Sequence, residues 1–404
     1  MVSPASHFIP MTVETDEYSS LRRKLIFRDA LVFLSLVLVT VVLFLVTLFL
    51  FRSFAAHREE LARRWSARGA ASLSSGHPDQ AIFALRTALS YAPGERSYEL
   101  LLARALGDAG HTEESYNYFL GLWETQPGDG LINLNLARLA ARKNDFQTAV
   151  HYYRAAIYGT WEGDGTVRRR EVRLELSRYF IAHHRLDSAR TELMIAGGND
   201  ANDPALAFSV AQLLEQAGDP SDAQADYDKV LAQDPANQAA LIAAGRLRYQ
   251  SGDFEEAHRL LERASREVKT TGSGSAQESP AVQAMLKDSA RVLALTPQKR
   301  LPARERVTRI LEDRSIAKSR FESCRAQVSS SGDDVASLQN LTTAWASKEA
   351  SLGRNALLSD PVAQDATMKL VFDTETQTSK LCGAPTGDDA LLALLAQYPK
   401  TMEP

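Results

Sequence analysis

Cysteine is almost missing from this sequence: Cys324 and Cys382 are the only two in 404 residues. So few cysteines exclude a disulfide-dense secreted scaffold. With no histidine close to either, they also supply too few ligands for a structural zinc site. Two readings of the pair stay open: one disulfide, if that region faces an oxidising compartment, or two buried free thiols. Catalytic signatures are absent as well. There is no G-x-S-x-G, no H-E-x-x-H, no phosphate-cradling glycine loop after a strand, and no strand-rich segment to carry one. No enzyme, cofactor or metal site is therefore expected. His183-His184 falls at a turn, and Asp164 between two glycines lacks the spaced oxygen ligands of a calcium loop. Charge of one sign is lacking too: the formal balance of −4 gives no global basic field. No basic patch with interleaved aromatics stands out either, so nucleic acid is not an expected partner.

What is present is ordinary globular composition, 45% hydrophobic and 24% charged, with enough chain for two or three compact units. One segment departs from it. From Ala30 to Phe51 run 22 residues without a charge, nearly all Leu, Val, Phe or Ile. At about 1.5 Å per residue this spans a hydrocarbon core of roughly 30 Å. A cleaved signal peptide has a shorter apolar region, a briefer leader and a small-residue cleavage site. Residues 30–51 are therefore read as a retained transmembrane helix, and the lipid bilayer as one partner. Residues 1–29 are read as a flexible tail ending in a basic collar, Arg22, Arg23, Lys24 and Arg28. Orientation is nearly balanced, since Arg52, Arg58, Arg63, Arg64 and Arg68 follow the span closely.

Beyond the span, small residues recur. Ala81, Ser115, Ala149, Ala189, Ala223 and Ala257 share one local setting at steps of 34, 34, 40, 34 and 34 residues. The first unit, 62–95, carries Trp65, Gly69, Ala81, Leu85, Ala88 and Pro93 at positions 4, 8, 20, 24, 27 and 32. The second, 96–129, keeps Ala103, Phe119 and Pro127; the third, 130–163, has Ala137, Ala149, Tyr153 and Ala156. The fourth, 170–203, offers Ser177, Ala189, Leu193 and Ala196, then runs into Gly-Gly-Asn-Asp where proline is expected. The fifth, 204–237, has Ala211, Ala223, Tyr227 and Pro235, and the sixth, 238–269, Gly245, Ala257, Leu261 and Ala264. This pattern resembles the tetratricopeptide repeat over about half the chain.

The resemblance implies an all-α fold: an N-terminal transmembrane helix, an α-solenoid of six helical hairpins, and a C-terminal helical extension. Each hairpin buries its apolar face only by stacking on neighbours. Turn sequences agree, with Gly where a first helix ends and Asp or Thr where the second begins. Extra residues around Trp161-Glu-Gly-Asp-Gly predict a loop splitting the array three plus three, either a contact loop or hinge or a tolerated insertion. Residues 270–280 have linker composition. Residues 281–404 are expected to form helices near 281–295, 303–328, 333–355, 361–381 and 388–397, large enough to cap the array.

In this family the first helix of each unit lines the concave groove through positions 2, 5, 6, 9, 12 and 13. Position 9 reads Ala70, Arg104, Arg138, Arg178, Gln212 and Arg246. A row of four arginines, with Asn135 and Arg142 nearby, suits acidic segments or a C-terminal carboxylate. The opposing reading is that these arginines pair with neighbours such as Glu171 and Glu175 or solvate the helices. Relatives that receive chaperone tails use Lys at position 5 and Asn at position 9, a pair absent here. The architecture resembles bacterial envelope proteins that display repeats outside the cytoplasmic membrane. The leading expectation is a membrane-anchored scaffold or adaptor in the inner membrane with its repeats in the periplasm. A translocon-associated helper holding exported clients and a cytosol-facing membrane receptor are the alternatives.

Overall fold

A computed structural model describes residues 15–198, 203–271, 279–327 and 333–398. The described residues are helical, with a single isolated backbone bridge, Asp129 to Thr160. They divide into two compact units, Met1–Arg169 and Arg170–Pro404.

The first unit is built on α1 (Thr15–Ser74), one uninterrupted helix containing the apolar span and the first helix of the first hairpin. By length and composition it is long and apolar enough to cross a membrane. The basic collar is thus helical, where the sequence reading placed a flexible tail; residues 1–14 lie outside the described residues. Thr15–Asp29 contains neither Gly nor Pro, and extending an existing helix avoids a second nucleation cost. Three hairpins follow: α1 with α2 (Pro78–Tyr91), α3 (Arg96–Asp108) with α4 (Thr112–Thr125), and α5 (Gly130–Arg142) with α6 (Phe146–Tyr158). The Trp161 loop is held in place. Gly130 N donates to Thr160 O and Thr160 N to Gly128 O, both at 2.8 Å. Trp161 lies so close over Gly130 that a Cβ there would sit 2.3 Å from its ring, and its Nε1 donates to Ala156 O at 2.9 Å.

The second unit contains the rest of α7 (Gly165–Ala182), paired with α8 (Leu186–Gly198). Then come α9 (Pro204–Gln216) with α10 (Pro220–Gln233), and α11 (Gln238–Gln250) with α12 (Phe254–Thr271). Gly197 and Gly198 close α8, while the Asn-Asp that follows them and residues 272–278 of the expected linker lie outside the described residues.

All twelve paired segments obey one packing rule. The residues at position 20, Ala81, Ser115, Ala149, Ala189, Ala223 and Ala257, are each fully buried. Ser115 satisfies its hydroxyl by donating to Ala103 O at 2.6 Å. At position 8 the backbones meet so closely that a Cβ on Gly69 would lie 2.6 Å from Leu85 Cγ, and one on Gly245 2.8 Å from Leu261 Cγ. Side chains at the starts of the helices satisfy the orphan N–H groups: Asp129, Asp145, Asp203, Asp219 and Asn237 each accept from the first turn.

The remaining helices are α13 (Pro280–Leu295), α14 (Ala303–Gln327), α15 (Asp333–Ala346), α16 (Arg354–Ser359), α17 (Pro361–Cys382) and α18 (Asp388–Gln397). The helix expected over 333–355 stops at Ala346; a 3-10 turn at Glu349–Ser351 and extended backbone at Gly353 intervene. The break is compensated: Arg314 Nη1 donates to the freed Leu352 O at 2.7 Å. α14 and α17 run in the same direction, with Arg306 bonded to Gln364 near their starts and a Cys324–Cys382 disulfide near their ends, Cα to Cα 5.6 Å. Their core is continuous with the last hairpin, since Phe254 packs among Val292, Leu295, Val307, Leu357 and Leu392. Tyr398 closes the unit, its ring over Gly252 and its hydroxyl donating to Gln250 O at 2.7 Å.

Candidate binding surface of the repeats

Hairpin packing leaves one strip of each first helix facing outward. In the first unit Arg104 on α3 and Arg138 on α5 are exposed, one repeat period apart, each immediately after the buried position-8 alanine. Arg104 makes no ion pair to a described residue. The flanking candidates are engaged differently. Arg142 Nη1 donates to Gly107 O and so ties the third hairpin to the second. Asn135 is half-buried and its amide donates back to Leu131 O at 2.8 Å on its own helix. Arg142 is exposed yet engaged at Gly107, and Asn135 is bonded within its own helix. Only Arg142 bridges two hairpins, and nothing in the spacing marks it as doing so.

In the second unit Arg178 on α7 is exposed and makes no ion pair to a described residue. Arg246 on α11 is taken: its guanidinium meets Glu215 Oε2 of α9, whose other oxygen accepts from Tyr227 Oη at 2.6 Å. Burial and that carboxylate together raise the Tyr227 phenol well above its usual range. Gln212 holds the corresponding position on α9. The even row of four arginines is therefore not what the side chains form. Arg104 and Arg178 present open guanidinium groups, Arg138 is exposed beside one of them, and Arg246 is satisfied from within. The sequence signal for that last pairing was available: Glu215 stands at position 12 of the preceding hairpin, one of the groove-lining positions.

Family models for the tetratricopeptide repeat match residues 100–165 and 214–272. The chain carries tetratricopeptide repeats. Among curated proteins it is similar to cellulose synthase 1 operon protein C of Komagataeibacter xylinus, 26% identical over 235 residues. That match covers 55% of this chain and spans only 17% of the relative. Similar solved structures include Pseudomonas aeruginosa pilF, at 16% identity over 58% of this chain and 99% of that one, TM-score 0.39. YrrB, titled a TPR protein with an unusual peptide-binding site, aligns at 16% identity over 50% of this chain and 97% of its own, TM-score 0.37.

A second concentration of polar groups lies outside the repeats, where α18 begins. Arg291 of α13 clamps Asp388 with bonds of 3.0 and 2.7 Å and reaches Glu312 at 2.8 Å. Beneath it Asp313 of α14 is fully buried, and neither of its oxygens has a partner. Burial, reinforced by Glu312, pushes its carboxyl up to about 8. Glu375 of α17 is equally buried; burial and neighbouring Asp389 push it to about 8 as well. In both, burial favours the neutral carboxyl over the carboxylate. Sequence reasoning missed them because an acidic residue on a mixed helix face reads as solvated.

Proposed function

We propose that this chain is a membrane-anchored protein-interaction scaffold whose repeats hold acidic segments of partner proteins against the exposed face of their first helices. The observation that carries the reading is Arg104, exposed and making no ion pair to a described residue, with exposed Arg138 at the same structural position of the next hairpin. Such groups suit carboxylates, because each fork can donate to both oxygens at once. The repeats themselves support a binding role over a catalytic one, since repeat arrays offer extended surfaces. The apolar stretch of α1 supports the anchor, and the Cys324–Cys382 disulfide supports an oxidising compartment such as the periplasm. A relative named for a cellulose synthase operon is compatible with work inside a larger assembly.

The test uses the full chain in detergent and a labelled peptide ending in four glutamates, beside its four-glutamine counterpart. The glutamate peptide is expected to bind more tightly and to lose affinity with added salt. Replacing both Arg104 and Arg138 with alanine is expected to weaken it about a hundredfold, roughly 1.4 kcal/mol per arginine. Equal binding of the two peptides, or an unchanged affinity in the double variant, would dismiss the reading.

A further inference from the structure

The path of α1 implies more than anchorage. The apolar run ends at Phe51, and α1 begins to pack at Arg58, whose Nη2 donates to Tyr91 O at the end of α2 at 2.7 Å. Only Arg52–His57 lies between, all helical and exposed. Six helical residues rise about 9 Å. The headgroup layer on each side of a bilayer is roughly 5–8 Å deep. No flexible linker separates span from hairpin, because α1 is one helix through both.

On this geometry, and resting on the anchored reading above, we propose that the near end of the first hairpin rests against the outer edge of the lipid headgroup layer. The contacting groups are Arg52, Phe54, Arg58, Tyr91 and the Ala92–Glu95 turn, and the partner is the phosphate-bearing headgroup. The chemistry fits. Phe54 is 63% exposed one turn past the span, where an aromatic ring meets the acyl boundary. Arg52 is exposed beside it and can bind phosphate through two N–H groups. Tyr91 is half-buried with a polar tip, suited to an interface. Glu59 and Glu95 stand at the same end, so the contact is fixed by the length of helix rather than by net charge. The consequence is that the scaffold's first hairpin keeps a set height and direction relative to the bilayer.

The experiment places a single reactive thiol at the near end, Pro93→Cys, or at the far end, Ser75→Cys, in the full chain. Both positions are exposed turns, and the wild-type protein reports any labelling of Cys324 and Cys382. Each variant carries an environment-sensitive fluorophore and is reconstituted into phosphatidylethanolamine–phosphatidylglycerol vesicles containing headgroup spin-labelled lipid. Quenching at position 93 is expected to exceed that at position 75 at least threefold. A seven-residue helical insertion after Ala55, about 10 Å, is expected to abolish the difference while keeping the hairpin's facing. Equal, weak quenching at both positions of a protein that resists alkaline carbonate extraction would overturn the proposal and leave the anchor standing. Release of the protein by carbonate would instead remove the anchored reading, and this inference with it.

Discussion

At the scale of single residues, position 15 of each hairpin sets the most local constraint. Gly76, Gly110, Asn144, His184, Gly218 and Gly252 all take positive φ, between 55° and 87°. The glycines adopt it freely, whereas a Cβ pays for it. Gly218→Ala is expected to destabilise the second unit by about 1 kcal/mol and His184→Gly to stabilise it by roughly 0.5 kcal/mol, read from denaturant midpoints. The histidine pair flagged in the sequence therefore owes its place to a turn. The buried carboxyls give a pH prediction. Asp313 and Glu375 titrate near 8 in the folded chain against ordinary values of 3.8 and 4.5. Folding thus takes up protons in that window. Their stabilising effect is full below about pH 4 and is lost as pH rises to about 8, at up to roughly 1.4 kcal/mol per pH unit per group. Asp313→Asn with Glu375→Gln is expected to flatten the pH dependence of the thermal midpoint between pH 5 and 8 and to raise it at pH 7.5. An unchanged slope would refute the assignment.

At the scale of elements, the last hairpin and the C-terminal helices form a single body. Tyr398 on Gly252, Phe254 in the shared core and an Arg300–Glu255 pair at 2.7 Å tie them together. Tyr398→Ala is expected to raise the amide exchange of α18 and of the α11–α12 turn together, a coupling that independent folding would not produce. The disulfide closes a separation of 58 residues between α14 and α17. Its reduction, or Cys324→Ser with Cys382→Ser, is expected to cost about 4 kcal/mol by the chain-entropy relation, read by calorimetry with and without reductant. The sequence displayed most of these elements. The small residues at positions 8 and 20, the glycine turns and the aspartate caps are local signals, and the helices follow them. The break after Ala346 was not legible, because what tolerates it is Arg314 of α14, a residue distant in the chain. The bond of Arg142 was not legible for the same reason: its partner, the Gly107 carbonyl, comes within reach only once the hairpins are packed.

At the scale of the whole molecule, the chain joins three parts whose chemistry differs. These are an apolar helix suited to lipid, hairpins whose outward faces carry open arginines, and a helical closure that ends the second unit. The apolar run of α1 was the plainest feature of the sequence, since an uncharged stretch of that length is long enough to cross a bilayer. The identity of the partner is the least legible, because a repeat's specificity resides in surface side chains that folding does not constrain. The account stands on partners meeting the first-helix face. The most direct measurement is photocrosslinking in native membranes, with a benzophenone amino acid at Arg104 or at Arg154, which is exposed on α6, a second helix of the same unit. The account predicts discrete protein adducts from position 104 and none from position 154. Adducts of equal yield from both positions, or from position 154 alone, would contradict it.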